Sequence, residues 1–184
     1  MLGGVTPGRQ VDEMSLRRFC QQERADAALE GVNAALAYNA LGQNDKAEAS
    51  LRHALRLDAT NAAANLNLGM LLAEMGKMSE AERAFRAAFK ANPQSGQAAY
   101  NLGVLLANEH SEEALDWCRR AAGLARDKPR YGYTYAFYLR RAGRLGEALQ
   151  AIQSVRERFP ADEDSANFEQ ALLREQKSLK KPQP

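Results

Sequence analysis

The chain has 184 residues, of which 45% are hydrophobic and 26% are charged, and its formal net charge at neutral pH is +2. This length fits one domain with a slim core, and 13 Gly and 6 Pro are too few turn residues for an all-β protein. A net charge so close to zero excludes a global field that attracts nucleic acid or membranes, so any basic site must be local.

The chain begins with a segment that does not resemble a targeting signal. Residues 1–10, MLGGVTPGRQ, lack the apolar centre of a signal peptide, and we expect a flexible N-terminus there. No apolar run approaches the roughly 18 residues of a membrane span. The sequence therefore predicts no membrane insertion. A cytoplasmic location is the default, and a periplasmic one stays open if the chain is a mature form or a fragment.

The pattern of residues 11–27 predicts an N-terminal helix. Its apolar side chains are Met14, Leu16, Phe19 and Cys20. Two interpretations remain open for this helix. It caps the unit that follows, or it is the second helix of a truncated repeat.

A period of 34 residues organises the rest of the chain. The segment at residues 68–85 recurs at 102–118 and at 135–152, and it has an earlier counterpart at 34–51. A fixed period of this size indicates stacked units rather than a closed globule. We place the units at residues 28–61, 62–95, 96–128 and 129–162, the third being one residue short. A C-terminal capping helix at 163–179 and a disordered tail at 180–184 complete the predicted organisation.

Small, large and helix-breaking residues recur at fixed places in each unit. The second unit has Asn65, Leu68-Gly69, Leu72, Ala81, Phe85 and Pro93, and the fourth has Gly132, Tyr135-Ala136, Leu139, Ala148, Ile152 and Pro160. This pattern resembles the signature of the tetratricopeptide repeat. The resemblance implies an all-α, right-handed solenoid of stacked helix-turn-helix repeats with capping helices. Glycine ends the first helices with a left-handed cap, at Gly42, Gly76 and Gly143.

Residues that carry chemistry are few and scattered. Cys20 and Cys118 form no metal-ligand spacing with the two histidines, and Glu109-His110 lies on a short predicted turn. The chain contains no phosphate-binding loop and no nucleophile elbow. The sequence therefore predicts neither an enzyme nor a cofactor or metal site.

The resemblance implies a binding face, because the first helices of such repeats line a concave groove that holds a peptide or a helix of a partner protein. The helical period along each first helix assigns side chains to this face. They are Asn33, Leu36, Leu66, Asn67, Met70, Tyr100, Asn101, Val104, Arg130, Tyr133, Thr134, Phe137, Arg140 and Arg141.

An amide recurs along the predicted groove. Asn33, Asn67 and Asn101 are 34 residues apart, and Thr134 continues the series. An amide both donates and accepts, so such a ladder can pair with the peptide groups of an extended ligand. The arrangement is similar to the asparagine ladder of O-GlcNAc transferase. The alternative is that each amide bonds to the backbone of its own scaffold, since half-buried amides are usually satisfied internally.

The fourth unit differs from the others in being aromatic and basic. Arg130, Arg140 and Arg141 are candidates to hold a ligand carboxylate through forked hydrogen bonds, and a solvated basic surface is the alternative. The resemblance does not extend to repeats that clamp a C-terminal Asp-Val. Those repeats carry Lys and Asn where this chain has Leu66 and Met70.

The leading functional hypothesis is a non-catalytic scaffold that binds a peptide or an amphipathic helix of a partner protein. The alternative is a docking, regulatory or oligomerisation domain of a larger enzyme, secretion or redox complex. An apolar groove also favours self-association or occupation by the N-terminal segment. Nucleic acid is not an expected partner, because no basic stripe exists beyond the fourth unit.

Overall fold

The computed structural model describes residues 13–107 and 112–179. Within these ranges the chain forms helices and no strand. They are α1 (Glu13–Ala40), α2 (Asn44–Leu57), α3 (Ala62–Glu74), α4 (Met78–Ala91), α5 (Gly96–Leu106), α6 (Glu112–Leu124), α7 (Pro129–Arg141), α8 (Leu145–Arg158) and α9 (Glu163–Leu179). The segments predicted as flexible ends, and the turn with Glu109-His110, lie outside the described residues.

The helices form a linear stack in chain order. α1 packs on α2, α3 on α4, α5 on α6 and α7 on α8, and each second helix packs in turn on the next first helix, up to α9 on α8. Every helix therefore contacts mainly its sequence neighbours, as in a solenoid. The all-α solenoid predicted from the 34-residue period is confirmed.

Local residues set the ends of the helices. Gly42, Gly76 and Gly143 have φ angles of +69°, +76° and +75°, which confirms the left-handed caps predicted after the first helices. The side chains of Asn61 and Ser95 accept hydrogen bonds from the amides of Ala64 and Ala98, at the starts of α3 and α5. These caps satisfy backbone donors that a helix terminus leaves unpaired.

Small residues allow the two helices of a unit to approach closely. A Cβ atom on Gly69 would lie 2.5 Å from the ring of Phe85, and one on Gly132 would lie 2.4 Å from Cγ2 of Val155. Around these contacts, the buried alanines of the second helices meet buried leucines of the first helices. The core is thus a narrow seam between helix layers.

The N-terminal helix differs from the prediction. Residues 13–40 form one uninterrupted helix, so the segment predicted as a separate helix over 11–27 is, from residue 13, an extension of the first helix of the first unit. Residues 13–26 are exposed along this extension. They therefore do not fold back to cap the unit or fill the groove. At 1.5 Å per residue the extension projects about 21 Å. Its tie to the stack is Arg24, whose Nη2 donates to the carbonyl oxygen of Leu57 at 2.9 Å.

Candidate binding face

We call the surface formed by the fourteen predicted groove residues on α1, α3, α5 and α7 the first-helix face. Its members divide into two groups by exposure. The exposed ones are Asn33, Leu36, Val104, Arg130, Arg140 and Arg141. The half-buried ones are Leu66, Asn67, Met70, Tyr100, Asn101, Tyr133, Thr134 and Phe137. The face is therefore neither a closed core nor a fully solvated surface.

The three asparagines of the series differ in their hydrogen bonds. Asn33 is exposed and makes no hydrogen bond in the described part of the chain. The Nδ2 of Asn67 donates to the carbonyl oxygen of Ala63, one turn back in its own helix, at 2.9 Å. The Nδ2 of Asn101 is buried and has no hydrogen-bond partner among residues 13–107 and 112–179. The alternative, in which each amide bonds to the backbone of its own scaffold, thus holds for the donor of Asn67 and does not hold for the donor of Asn101.

A fourth asparagine, Asn65, has a structural position. It is 6% exposed, and its Nδ2 donates to the carbonyl oxygens of Ala59 and Asn61 at 3.2 and 3.0 Å. These two bonds hold the turn between α2 and the start of α3. Asn65 occupies the place where the repeat signature has Trp, and here an amide takes over the anchoring of this turn.

The three arginines of the fourth unit have different neighbours within the chain. The Nε of Arg140 donates to Oε2 of Glu175 on α9 at 2.7 Å, so its charge is already paired within the chain. The guanidinium of Arg141 lies 6.0 Å from the ring centre of Tyr138. Arg130 lies over the ring of Tyr100, 5.5 Å from its centre, and makes no ion pair in the described residues. Of the three candidates for holding a ligand carboxylate, Arg140 is thus the one that already pairs with a carboxylate of this chain.

Aromatic side chains connect successive first helices. Tyr100 on α5 stacks on Tyr131 of α7 with ring centres 4.4 Å apart. Tyr133 and Phe137 of α7 pack on Phe168 of α9, with ring centres 4.9 and 6.3 Å away. These two predicted groove residues thus also serve as packing between α7 and the C-terminal helix.

An open pocket of about 500 Å³ lies where α5, α7 and the start of α9 meet. Four predicted face residues line it together with three residues that the sequence analysis did not assign to the site. The lining is Tyr100, Arg130, Tyr133 and Thr134, with Pro129, Asp162 and Asp164. Asp162 caps α9, since its Oδ2 accepts from the amide of Ser165 at 3.0 Å. Only the stacking of α9 on α8 brings these carboxylates to the pocket.

No group of three or more His, Cys, Asp or Glu side chains in residues 13–107 and 112–179 is arranged to hold a metal ion. No helix in these ranges has the length and apolarity needed to cross a bilayer.

The stack of two-helix units, with glycine-capped turns and an open face along the first helices, defines a helical repeat protein. Two family models match the sequence, one described as tetratricopeptide repeat over residues 66–129 and one as TPR repeat over residues 35–76. Together they span residues 35–129, more than half of the chain. The chain belongs to the tetratricopeptide repeat (TPR) family. The sequence matches no curated protein.

Several solved structures share the fold. YrrB, described as a TPR protein with an unusual peptide-binding site, is 23% identical with a TM-score of 0.69, over 89% of this chain and 84% of YrrB. MamA is 17% identical with a TM-score of 0.68, over 82% of this chain and 88% of MamA. PilF of Pseudomonas aeruginosa is 19% identical with a TM-score of 0.72, over 85% of this chain and 72% of PilF. At these identities the likeness establishes the fold alone.

Proposed function

We propose that this TPR protein is a non-catalytic interaction module that binds an extended segment of a partner protein along the first-helix face. The observation that carries the proposal is the buried and unpaired Nδ2 of Asn101. A buried donor without an acceptor costs about 1–3 kcal/mol, so such a group in a native protein calls for an explanation. A ligand carbonyl oxygen on the first-helix face is the acceptor that this donor lacks.

The comparison with Asn67 supports this assignment. Asn67 occupies the same position one unit earlier, and its Nδ2 is engaged by the carbonyl oxygen of Ala63. Its Oδ1 is then the atom it offers to a ligand. Asn101 offers a donor and Asn67 an acceptor, which is the pair of groups that each peptide unit of an extended chain requires. Asn67 and Asn101 would therefore bind the main chain of the ligand, and other residues would select its side chains.

The pocket between α5, α7 and α9 supplies a place for one ligand side chain. Tyr100 and Tyr133 form apolar walls, Arg130 contributes a positive charge, and Asp162 and Asp164 contribute negative ones. A pocket with aromatic walls and a few polar groups anchors and orients a bound group. Because Tyr100, the residue before Asn101 on α5, lines this pocket, we place one end of the proposed peptide path there. The peptide-binding site reported for YrrB agrees with this use of the fold.

The test uses peptides selected from a phage-displayed random library against the full chain, with affinities measured by fluorescence anisotropy. We expect Asn101→Leu to weaken binding about tenfold, since the loss of one well-formed hydrogen bond is worth about 1.4 kcal/mol. Gln150→Ala, on the exposed side of the second helix α8, is the matched control and keeps full affinity.

Selected peptides that bind Asn101→Leu and wild type equally, while the variant keeps its melting temperature, contradict the proposal. If no substitution on the first-helix face weakens the binding of the selected peptides, the binding site lies elsewhere on the chain.

A further inference from the structure

Large apolar side chains are exposed at both ends of the stack. At the first end Leu16, Phe19 and Leu41 are 50%, 64% and 69% exposed, and at the last end Leu173 and Leu179 are 36% and 73% exposed. Exposed apolar side chains grouped at defined places mark interaction surfaces more often than scattered ones do. The two ends of the stack are therefore candidate interaction surfaces.

One edge of α1 carries residues at alternating spacings of four and three, which places them along a single line of the helix. We call this line the N-terminal face; it consists of Leu16, Cys20, Glu23, Ala27, Glu30, Ala34, Ala37 and Leu41. All are exposed except Ala27, which is half-buried. An open cleft of about 480 Å³ runs beside it, between α1 and α2.

The same line of α3 is covered. Ala64, Leu68 and Leu71, which follow Glu30, Ala34 and Ala37 by 34 residues, are buried where α3 packs against the second helix of the preceding unit. The N-terminal face thus corresponds to the line of an interior first helix that packs against the second helix of the preceding unit. In this chain nothing among the described residues covers it.

The last helix has a corresponding open line. We call Ala166, Gln170, Leu173 and Lys177 of α9 the C-terminal face. Gly132, Ala136 and Leu139, which precede the first three by 34 residues, are buried where α7 packs on α8. A Cβ on Gly132 would meet Val155 of α8, which confirms that this line faces the second helix of its unit. α9 therefore ends the described stack as a first helix without its second helix.

The N-terminal face is acidic, whereas the C-terminal half of α9 is basic; the exposed Glu163, which begins α9 on the same line, is acidic. Glu23 and Glu30 are exposed on the N-terminal face and form no ion pair in the described residues, while Arg174 and Lys177 are exposed on or beside the C-terminal face. Two N-terminal faces would bring glutamates against glutamates, which is unfavourable. An N-terminal face against a C-terminal face brings glutamates against cations and leucines against leucines.

From these observations we propose that copies of this chain associate head to tail, with the N-terminal face of one copy on the C-terminal face of the next. α1 then lies antiparallel to α9 of its neighbour and takes the place of the missing second helix. Its 28 residues are more than enough to cover the 17 residues of α9. Such a contact uses two different surfaces, so a pair of copies leaves one face of each kind free and the assembly is open-ended. The first-helix face takes no part in it.

The experiment is sedimentation velocity on the full chain, from micromolar to submillimolar concentration and at low and high salt. We expect the average mass to rise with concentration to at least twice that of one copy, and to fall at high salt because screening weakens the charge contacts. Glu23→Lys/Glu30→Lys makes both faces basic, and Arg174→Glu/Lys177→Glu makes both acidic. For each double variant alone, we expect the dissociation constant of the association to be at least about tenfold higher than for wild type. An equimolar mixture of the two regains association, because every contact again pairs opposite charges.

Arg83→Glu, at an exposed position of α4 away from both ends, is the control and associates like wild type. The proposal is overturned by a wild-type chain that stays a single copy at every concentration. It is equally overturned if Arg174→Glu/Lys177→Glu associates as wild type does, since the contact would then be between two α1 helices. Unchanged helicity and melting temperature establish that the variants are folded.

Discussion

Gly103 on α5 lies directly against Cys118 on α6. A Cβ atom on residue 103 would be 2.5 Å from Sγ of Cys118 and 2.9 Å from its backbone nitrogen. Cys118 is 1% exposed, so neither side chain nor backbone has free space into which to move. The repeat signature places a small residue here because the two helices of the third unit touch through it.

Gly103→Ala should therefore destabilise the fold. Forcing a methyl group into this contact costs about 2 kcal/mol, more than the roughly 1 kcal/mol that alanine gains over glycine in a helix. Urea denaturation followed by circular dichroism measures the change. Gly123→Ala in α6 is the control, because its Cβ would meet nothing within 4 Å, and it should be neutral or stabilising. Equal midpoints for the two variants would contradict the close contact.

The two cysteines should differ in reactivity. Burial raises the pKa of the Cys118 thiol from its ordinary 9.0 to about 12, whereas Cys20 is exposed on the N-terminal extension. Only the thiolate reacts at an appreciable rate. In native protein at pH 8 we expect a disulfide reagent to label one thiol quickly, and Cys20→Ser to abolish that fast phase. Fast labelling of two thiols before unfolding would contradict the burial of Cys118.

The raised pKa of Cys118 also links stability to alkaline pH. The folded state keeps this proton up to about pH 12, while the unfolded chain loses it near pH 9. The stabilising contribution is complete below pH 9 and is lost as the pH rises towards 12. Between these values Cys118→Ala should show a shallower fall of the free energy of unfolding than wild type, as measured by denaturation at several pH values. A parallel fall in both proteins would count against this linkage.

Asn65 and Asn101 should respond oppositely to the same substitution. Asn65→Leu removes two hydrogen bonds and leaves the carbonyl oxygen of Ala59 without its donor, which costs about 1–3 kcal/mol; the carbonyl oxygen of Asn61 keeps the backbone amide of residue 65. Asn101→Leu removes a donor that has no partner, so we expect no loss and up to about 1 kcal/mol of gain. Thermal unfolding of the two variants compares them. A large destabilisation by Asn101→Leu would show that its amide is satisfied in the unbound protein.

Glu48 should contribute stability that disappears in acid. Lys77 on the next unit and Arg52 on its own helix bond to its carboxylate and hold its pKa below the ordinary 4.5. Because the folded pKa is lowered, the contribution is present above about pH 4.5 and is lost as the pH falls through the folded value. Glu48→Gln should cost about 0.5 kcal/mol at pH 7 and nothing in strong acid. Glu157→Gln, exposed on α8, is the control. A difference between Glu48→Gln and wild type that persists in strong acid would contradict the ionic origin.

Much of the fold could be predicted because it depends on residues close in sequence. The 34-residue period, the apolar lines of the helices and the glycines at 42, 76 and 143 specify helix–turn–helix units by local geometry alone. A line of apolar residues that one unit cannot bury by itself then requires neighbours, so a stack follows from the repetition. The length of the first helix was not predicted, because residues 11–27 contain no strong breaker and two organisations fitted the same pattern.

The candidate site depended on contacts between distant residues, which local sequence does not encode. Arg140 and Glu175 are 35 residues apart, and only the packing of α9 beside α7 joins them and removes Arg140 from the set of free cations. The same packing brings Asp162 and Asp164 to the pocket with Tyr100. The spacing of the asparagines placed Asn67 and Asn101 at equivalent positions, but only the surroundings of each amide decided that the donor of Asn67 is bonded and that of Asn101 is not. The sequence by itself determined which residues share a side of each first helix, since a helical period is a local property. The tertiary structure decided which of them already have partners, because hydrogen bonds and ion pairs depend on how the helices are stacked.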